Sequence, residues 1–186
     1  MTATVSIRPP LRLALLTQSI SHFEAPLFRL CTQIEELELK VFYIEPIKTG
    51  EFDIQYAQRI DWGYDLLAGY ESAQVADAKA LSRAVQEWQA DVVLMYGYGW
   101  AGAPQIILGN WWRRQAQVHR GTLNYYLDPR RPIKGRLMRP LGRLLLRLFD
   151  AHHYGGDYSR KVLLDAGVRG HERSVRPLRC HARQPV

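Results

Sequence analysis

The chain has two cysteines in its 186 residues, Cys31 and Cys180. Cys31 falls inside an apolar helical pattern and Cys180 inside a polar tail, so a structural disulfide is not expected and reducing surroundings are. No apolar run nears the roughly 20 residues that span a bilayer. Leu11–Leu16, interrupted by Arg12, is too short for the core of a signal peptide. These absences place the chain in the cytoplasm, with peripheral contact at the inner face of a membrane left open. There is no internal repeat, no G-x-S-x-G nucleophile elbow and no P-loop. His152-His153 lacks a further His, Cys or carboxylate at ligand spacing, so the two read as strand residues and no metal is expected.

The apolar fraction, 47%, is that of a folded globular domain, and the length suits one domain with a sizeable core. The formal charge of +7 points to an anionic partner: nucleic acid, an anionic membrane face or a phosphorylated ligand. Nucleic acid fits least, because aromatics are not interleaved with the basic residues.

Asp91–Trp100 organises the rest. Val92, Val93, Leu94 and Met95 form an unbroken apolar run, the mark of a strand buried on both faces of a parallel sheet. Glycines follow at once, and ligands of open parallel sheets bind outside the carboxyl ends of strands. Leu11–Thr17 reads as a first strand. A helix follows around Pro26, with Leu27, Leu30, Cys31 and Ile34 on one face. Leu39–Ile44 is a second strand, and Lys48–Ala73 an irregular excursion with at most one short strand. Ala76–Trp88 is a helix facing inward with Leu81, Val85 and Trp88. Pro104–Arg114 is another, carrying Ile106, Ile107 and Trp111. Val118–Leu123 and Asp150–Tyr154 are further strands, with Asp128–Pro132 a rigid loop. Gly155-Gly156 turns the chain into a helix that Asp157 can cap and Gly167 can end. Alternating strands and helices imply an α/β fold: a single Rossmann-like domain with a mainly parallel sheet flanked by helices. Residues 1–10 lie outside it as a disordered N-terminus. Residues 171–186, with four arginines and almost no apolar side chain, read as a disordered or foreign tail.

Candidate sites cluster on one rim. Gly97-x-Gly99-x-x-Gly102 matches the dinucleotide fingerprint, but it follows a later strand than the fingerprint should, and Tyr98 and Trp100 would crowd a phosphate. A turn that needs glycine, or a flat ligand stacked on Tyr98 and Trp100, fits as well. His22, beside Ser21, reads either as a general base or hydroxyl donor, or as a histidine packed at a helix entrance. Arg120 needs an anion, a carbonyl or a buried carboxylate as partner. Asn124 lies in a polar, aromatic stretch at a strand's end. Arg130, Arg131, Lys134, Arg136, Arg139, Arg143 and Arg147 share one region with Leu137, Met138, Leu141, Leu144, Leu145 and Leu148. Lys134–Leu148 reads as a basic amphipathic helix, perturbed by Pro140, with leucines inward and the region's arginines presented to anionic headgroups or a pyrophosphate.

Five stretches in order resemble the N-terminal half of a family 4 (group 1) glycosyltransferase of the GT-B fold: Leu11–Arg29, Trp62–Leu67, Asp91–Tyr98, His119–Leu123 and Phe149–Val168. The resemblance covers roughly residues 11–170, the span assigned to the Rossmann-like domain. It implies transfer of a sugar from a nucleotide-sugar donor to a lipid-linked or cell-envelope glycan, with no required metal. It makes this half the acceptor-binding lobe, with Ser21, His22, Tyr98, Trp100, Arg120, Gly121 and Asn124 at the acceptor. The family's Arg-Gly pair matches Arg120-Gly121, although Thr122-Leu123 stand where an acidic residue and Ser usually follow. No Glu-x7-Glu donor motif occurs, so the resemblance implies a truncated or frameshifted transferase, inactive alone unless a separate chain supplies the donor lobe. A non-catalytic glycan or anionic-membrane module is the competing expectation, and a nucleotide-dependent oxidoreductase a third.

Overall fold

The computed structural model describes residues 9–45, 65–121 and 140–168, together with the backbone of 52–53 and 58–59. Six strands form one sheet: β1 Leu11–Thr17, β2 Leu37–Tyr43, β5 Glu71–Gln74, β6 Val92–Tyr96, β7 Ala116–Gly121 and β8 Ala151–Tyr154. Their order is β5-β2-β1-β6-β7-β8, and every neighbouring pair is parallel. Taken in chain order this is the 3-2-1-4-5-6 arrangement of the Rossmann fold. The chain winds outward from β1 through β2 to β5, then crosses back to β6. The direction of winding therefore reverses between β1 and β6. A separate two-residue ribbon, β3 Phe52–Asp53 with β4 Gln58–Arg59, pairs antiparallel.

Helices α1 Ala25–Cys31, α2 Ala78–Glu87, α3 Ala103–Trp112 and α5 Asp157–Asp165 are joined by α4, whose described part is residues 140–146. Side chains alternate across the sheet. Ala14, Leu16, Phe42, Val93 and Met95 point to the face covered by α2 and α3, where Leu81, Val85, Ile106 and Ile107 meet them. Leu15, Leu39, Val41 and Tyr43 point to the other face, where Phe28 of α1 fills the space. Leu94 and Tyr96, packed against the same cluster, are half-buried rather than enclosed. A third cluster joins Leu146 of α4 to Val162, Leu163 and Ala166 at α5.

Two aspartates start strands in the same way. Asp91 accepts from the Arg12 amide at 2.8 Å and its own amide donates to Arg12 O at 2.8 Å. Asp150 accepts from the Gln117 amide at 2.8 Å and donates to Gln117 O at 2.9 Å. Each carboxylate satisfies an amide at the ragged end of a parallel ladder, where the backbone alone leaves a donor unmatched.

Several expectations are corrected. The inward face of α1 is Ala25 and Phe28, while Leu27, Leu30 and Ile34 are exposed and Cys31 is only partly packed. The helix has two turns, and its contact with the sheet is set by the largest side chain, Phe28. Trp111 of α3 is likewise exposed. Glu71–Gln74 is a regular edge strand; its polar sequence carries no apolar signal because half of it faces water. Gly156, not Asp157, is the cap residue of α5. Leu145 is buried as expected and Leu146 is buried as well, whereas Leu141 and Leu144, expected inward, are exposed beside Arg143. The N-terminal residues 1–8, the loop 128–132, the tail 171–186 and residues Asn124, Arg130, Arg131, Lys134, Arg136 and Arg139 lie outside the described residues. Among those described, no helix is long and apolar enough to cross a membrane.

Candidate functional site

Parallel register builds the site from a single row. Tyr96 of β6 pairs with Arg120 of β7, and Arg120 pairs with His153 of β8. Residues in register on parallel strands project to the same face, so these three side chains stand side by side at the carboxyl edge of the sheet. One residue earlier, Met95, His119 and His152 form the next row and project the opposite way, into the core beneath.

The front row lines a cavity of about 360 Å³ with Glu24, Gly97, Gly121 and Gly155. That size accepts a monosaccharide or a small phosphorylated group. Glu24 enters from the segment between β1 and α1, and the remaining residues from β6, β7 and β8. The cavity therefore opens at the reversal between β1 and β6, where open α/β sheets bind ligands.

Arg120 is the charged centre. Its guanidinium carbon lies 4.3 Å from the centroid of the Tyr96 ring, a cation–π contact. It makes no ion pair within 4.0 Å with another described residue. Burial holds the Glu24 carboxyl above its ordinary range, and the charge of Arg120 partly opposes that. Burial pushes the His153 imidazole down, and Arg120 pushes it further. The site thus presents one permanent cation, a neutral imidazole and a carboxyl that gains from hydroxyl donors.

The sequence-derived candidates divide. Arg120 and Gly121 line the cavity. Ser21 and His22 sit on the same rim without lining it. Ser21 is occupied with starting α1: its carbonyl accepts from the Glu24 and Ala25 amides and its hydroxyl from the Phe23 amide. His22 packs on Phe23, ring centroids 3.7 Å apart. Tyr98 packs edge-on to the buried His119 ring at 5.6 Å. Trp100 lies in the core, 6% exposed. Glu24, Tyr96 and His153 were not singled out by sequence. His153 was set aside as a strand residue, and only the cross-strand register shows that it adjoins Arg120.

The glycines of the Gly97–Gly102 motif have separate reasons. Gly102 has φ +91°, and a Cβ there would stand 2.6 Å from the Ala78 side chain, so it lets α3 start hard against α2. Gly97 has φ +71° and donates its amide to Arg120 O at 2.8 Å, turning the chain out of β6 over the cavity. Among the described residues no three His, Cys, Asp or Glu side chains are grouped to hold a metal.

With this geometry the fold can be matched to known ones. Two solved structures of nucleotide-sugar enzymes share it. One is a protein described as a UDP-N-acetylglucosamine 2-epimerase from Listeria monocytogenes, with TM-score 0.56 and 12% identity over 85% of this chain and 42% of that one. The other is the UDP-GlcNAc 2-epimerase of Neisseria meningitidis bound to UDP-GlcNAc, with TM-score 0.54 and 12% identity over 86% of this chain and 44% of that one. The chain spans less than half the length of either. No family model and no curated protein sequence matches it.

Proposed function

We propose that this domain is the acceptor-binding lobe of a two-lobed GT-B-type glycosyltransferase of the family 4 kind. Its cleft would receive a cell-envelope or lipid-linked glycan, while a nucleotide sugar is held by a second lobe or a separate chain. The reading is supported by the likeness in fold to two enzymes named for a nucleotide-sugar substrate. The observation that carries it is the row Tyr96–Arg120–His153 facing Glu24 at the reversal of the sheet. Arg120 supplies paired donors for a phosphate or carboxylate on the acceptor. Glu24 supplies an acceptor for a sugar hydroxyl, and the cavity admits about one sugar unit.

The lobe binds and orients the nucleophilic hydroxyl; bond breaking at the donor belongs to the other half of the cleft. Calorimetric titration of the chain with phosphorylated and acidic oligosaccharides, and separately with UDP-sugars, tests the assignment. Binding of the glycans with weaker binding of the UDP-sugars is expected. Radiolabelled sugar transfer should appear only when a donor-binding chain is added. Tight UDP-sugar binding at Arg120 with no affinity for glycans would reverse the roles of the lobes. Glycan binding with no transfer under any pairing would make the chain a non-catalytic glycan-binding module.

A further inference from the structure

Helix α3 is apolar on two sides. Ala103, Ile106 and Ile107 are buried against the sheet, as its place in the fold requires. Its outer side carries Leu108, Trp111 and Trp112, which are 46%, 54% and 81% exposed. Spacings of three and four put these on one stripe of neighbouring side chains. Single exposed apolar residues are ordinary on a protein surface, whereas two adjacent tryptophans and a leucine in one stripe mark a surface that is covered in use.

The charges around the stripe choose the cover. Arg113 and Arg114 end the helix directly beside Trp111 and Trp112. Arg113 is braced by Ser82 Oγ at 3.2 Å and Asn110 Oδ1 at 3.1 Å, which fixes the helix end against α2. Arg114 holds a left-handed backbone, φ +55°, and is exposed. Helix α2, packed alongside, adds the exposed Lys79 and Arg83, with the carboxylates Asp77 at its N-cap and Glu87 at its last turn. A second copy of the chain docking symmetrically would set these cations against themselves, which costs affinity. Tryptophan prefers the boundary between hydrocarbon and water, with its ring in the apolar layer and its N–H among polar headgroups. Arginine beside it pairs with lipid phosphates.

We infer that the outer stripe of α3, Leu108-Trp111-Trp112 flanked by Arg113 and Arg114, seats the domain on an anionic lipid surface. This face lies on the α2–α3 side of the sheet, and none of its residues lines the cavity. The inference stands whether or not the cavity binds glycans. Flotation of the full chain with phosphatidylcholine vesicles, made with and without phosphatidylglycerol, tests it. The unaltered chain should float with the anionic vesicles and be released by salt. The double variant W111S/W112S should lose about tenfold or more in vesicle affinity with its thermal unfolding unchanged. R114Q should weaken binding less and flatten its salt dependence. Failure of the unaltered chain to float would overturn the inference. So would retention of binding in W111S/W112S with loss in L141S/L144S, which moves the contact to α4. A change from dimer to monomer in W111S/W112S with vesicle binding intact would make the stripe an interface between copies.

Discussion

The Nδ1 atoms of His119 and His152 lie 3.4 Å apart, and neither ring's Nε2 has a hydrogen-bond partner among the described residues. One Nδ1 can donate to the other when the two rings hold opposite tautomers at that contact. Burial pushes both imidazoles down to about 4 from an ordinary 6.5, with His152 adding to the effect on His119.

A folded pKa below the unfolded one gives stability that is present above the unfolded value and lost as pH falls. The window here runs from about 6.5 down to about 4, where the unfolded chain takes up protons that the folded chain refuses. Urea unfolding should show about 2 kcal/mol or more lost between pH 7.5 and pH 5. Glu24, whose carboxyl is raised, works in the opposite direction over the acid range and makes the net loss smaller. The variant H119L/H152L should flatten this interval; an unchanged slope in that variant would place its origin elsewhere.

Helix α1 offers a paired test of which face is inward. F28A removes a side chain that is 1% exposed and should cost about 3–5 kcal/mol in chemical unfolding. L30A, at a position 58% exposed, should change stability by about 0.5 kcal/mol or less. Equal losses would return Leu30 to the core.

The glycine motif makes a second pair. G102A combines a left-handed φ with a contact to Ala78 that cannot be accommodated, and should cost about 2–4 kcal/mol. At Gly99 a Cβ would meet nothing within 4 Å, so G99A should stay within about 1 kcal/mol by the same unfolding measurement.

At the cavity, R120A should lower affinity for an acidic or phosphorylated glycan by about tenfold or more in calorimetry. R120K should not restore it, since an ammonium cannot lie flat on Tyr96 and present a fork. The Glu24 carboxyl should move further up in R120A, because the charge that opposes burial is gone. A carbon-detected titration that leaves Glu24 in place would show that the two groups do not share the site.

Element existence was legible wherever apolar residues kept one period. Val92–Met95, Leu11–Thr17 and Ala76–Trp88 announced β6, β1 and α2 to within two residues at either end. What failed was facing. The apolar side chains of α1 and α3 exceed what the sheet can cover, and periodicity cannot tell a stripe that meets the core from one that meets water. β5 was hidden because Glu71-Ser72-Ala73-Gln74 is an edge with little to bury. In the cavity, Arg120 was visible as a charge in an apolar setting. Its neighbours Tyr96 and His153 were not, since they are 24 and 33 residues away and become adjacent only through the register of three strands. Glu24 was passed over beside His22, although the turn that Ser21 closes directs the carboxylate, not the imidazole, to the cavity.

Both margins of the sheet, β5 and β8, are four residues long. A foreign strand seeking to add itself there would find hydrogen-bonding positions for little more than one repeat of the ladder on either side. Self-templated growth of the sheet into fibrils is thereby discouraged at those margins, while the longest pairing, β1 with β2 over seven residues, lies inside the sheet between β5 and β6.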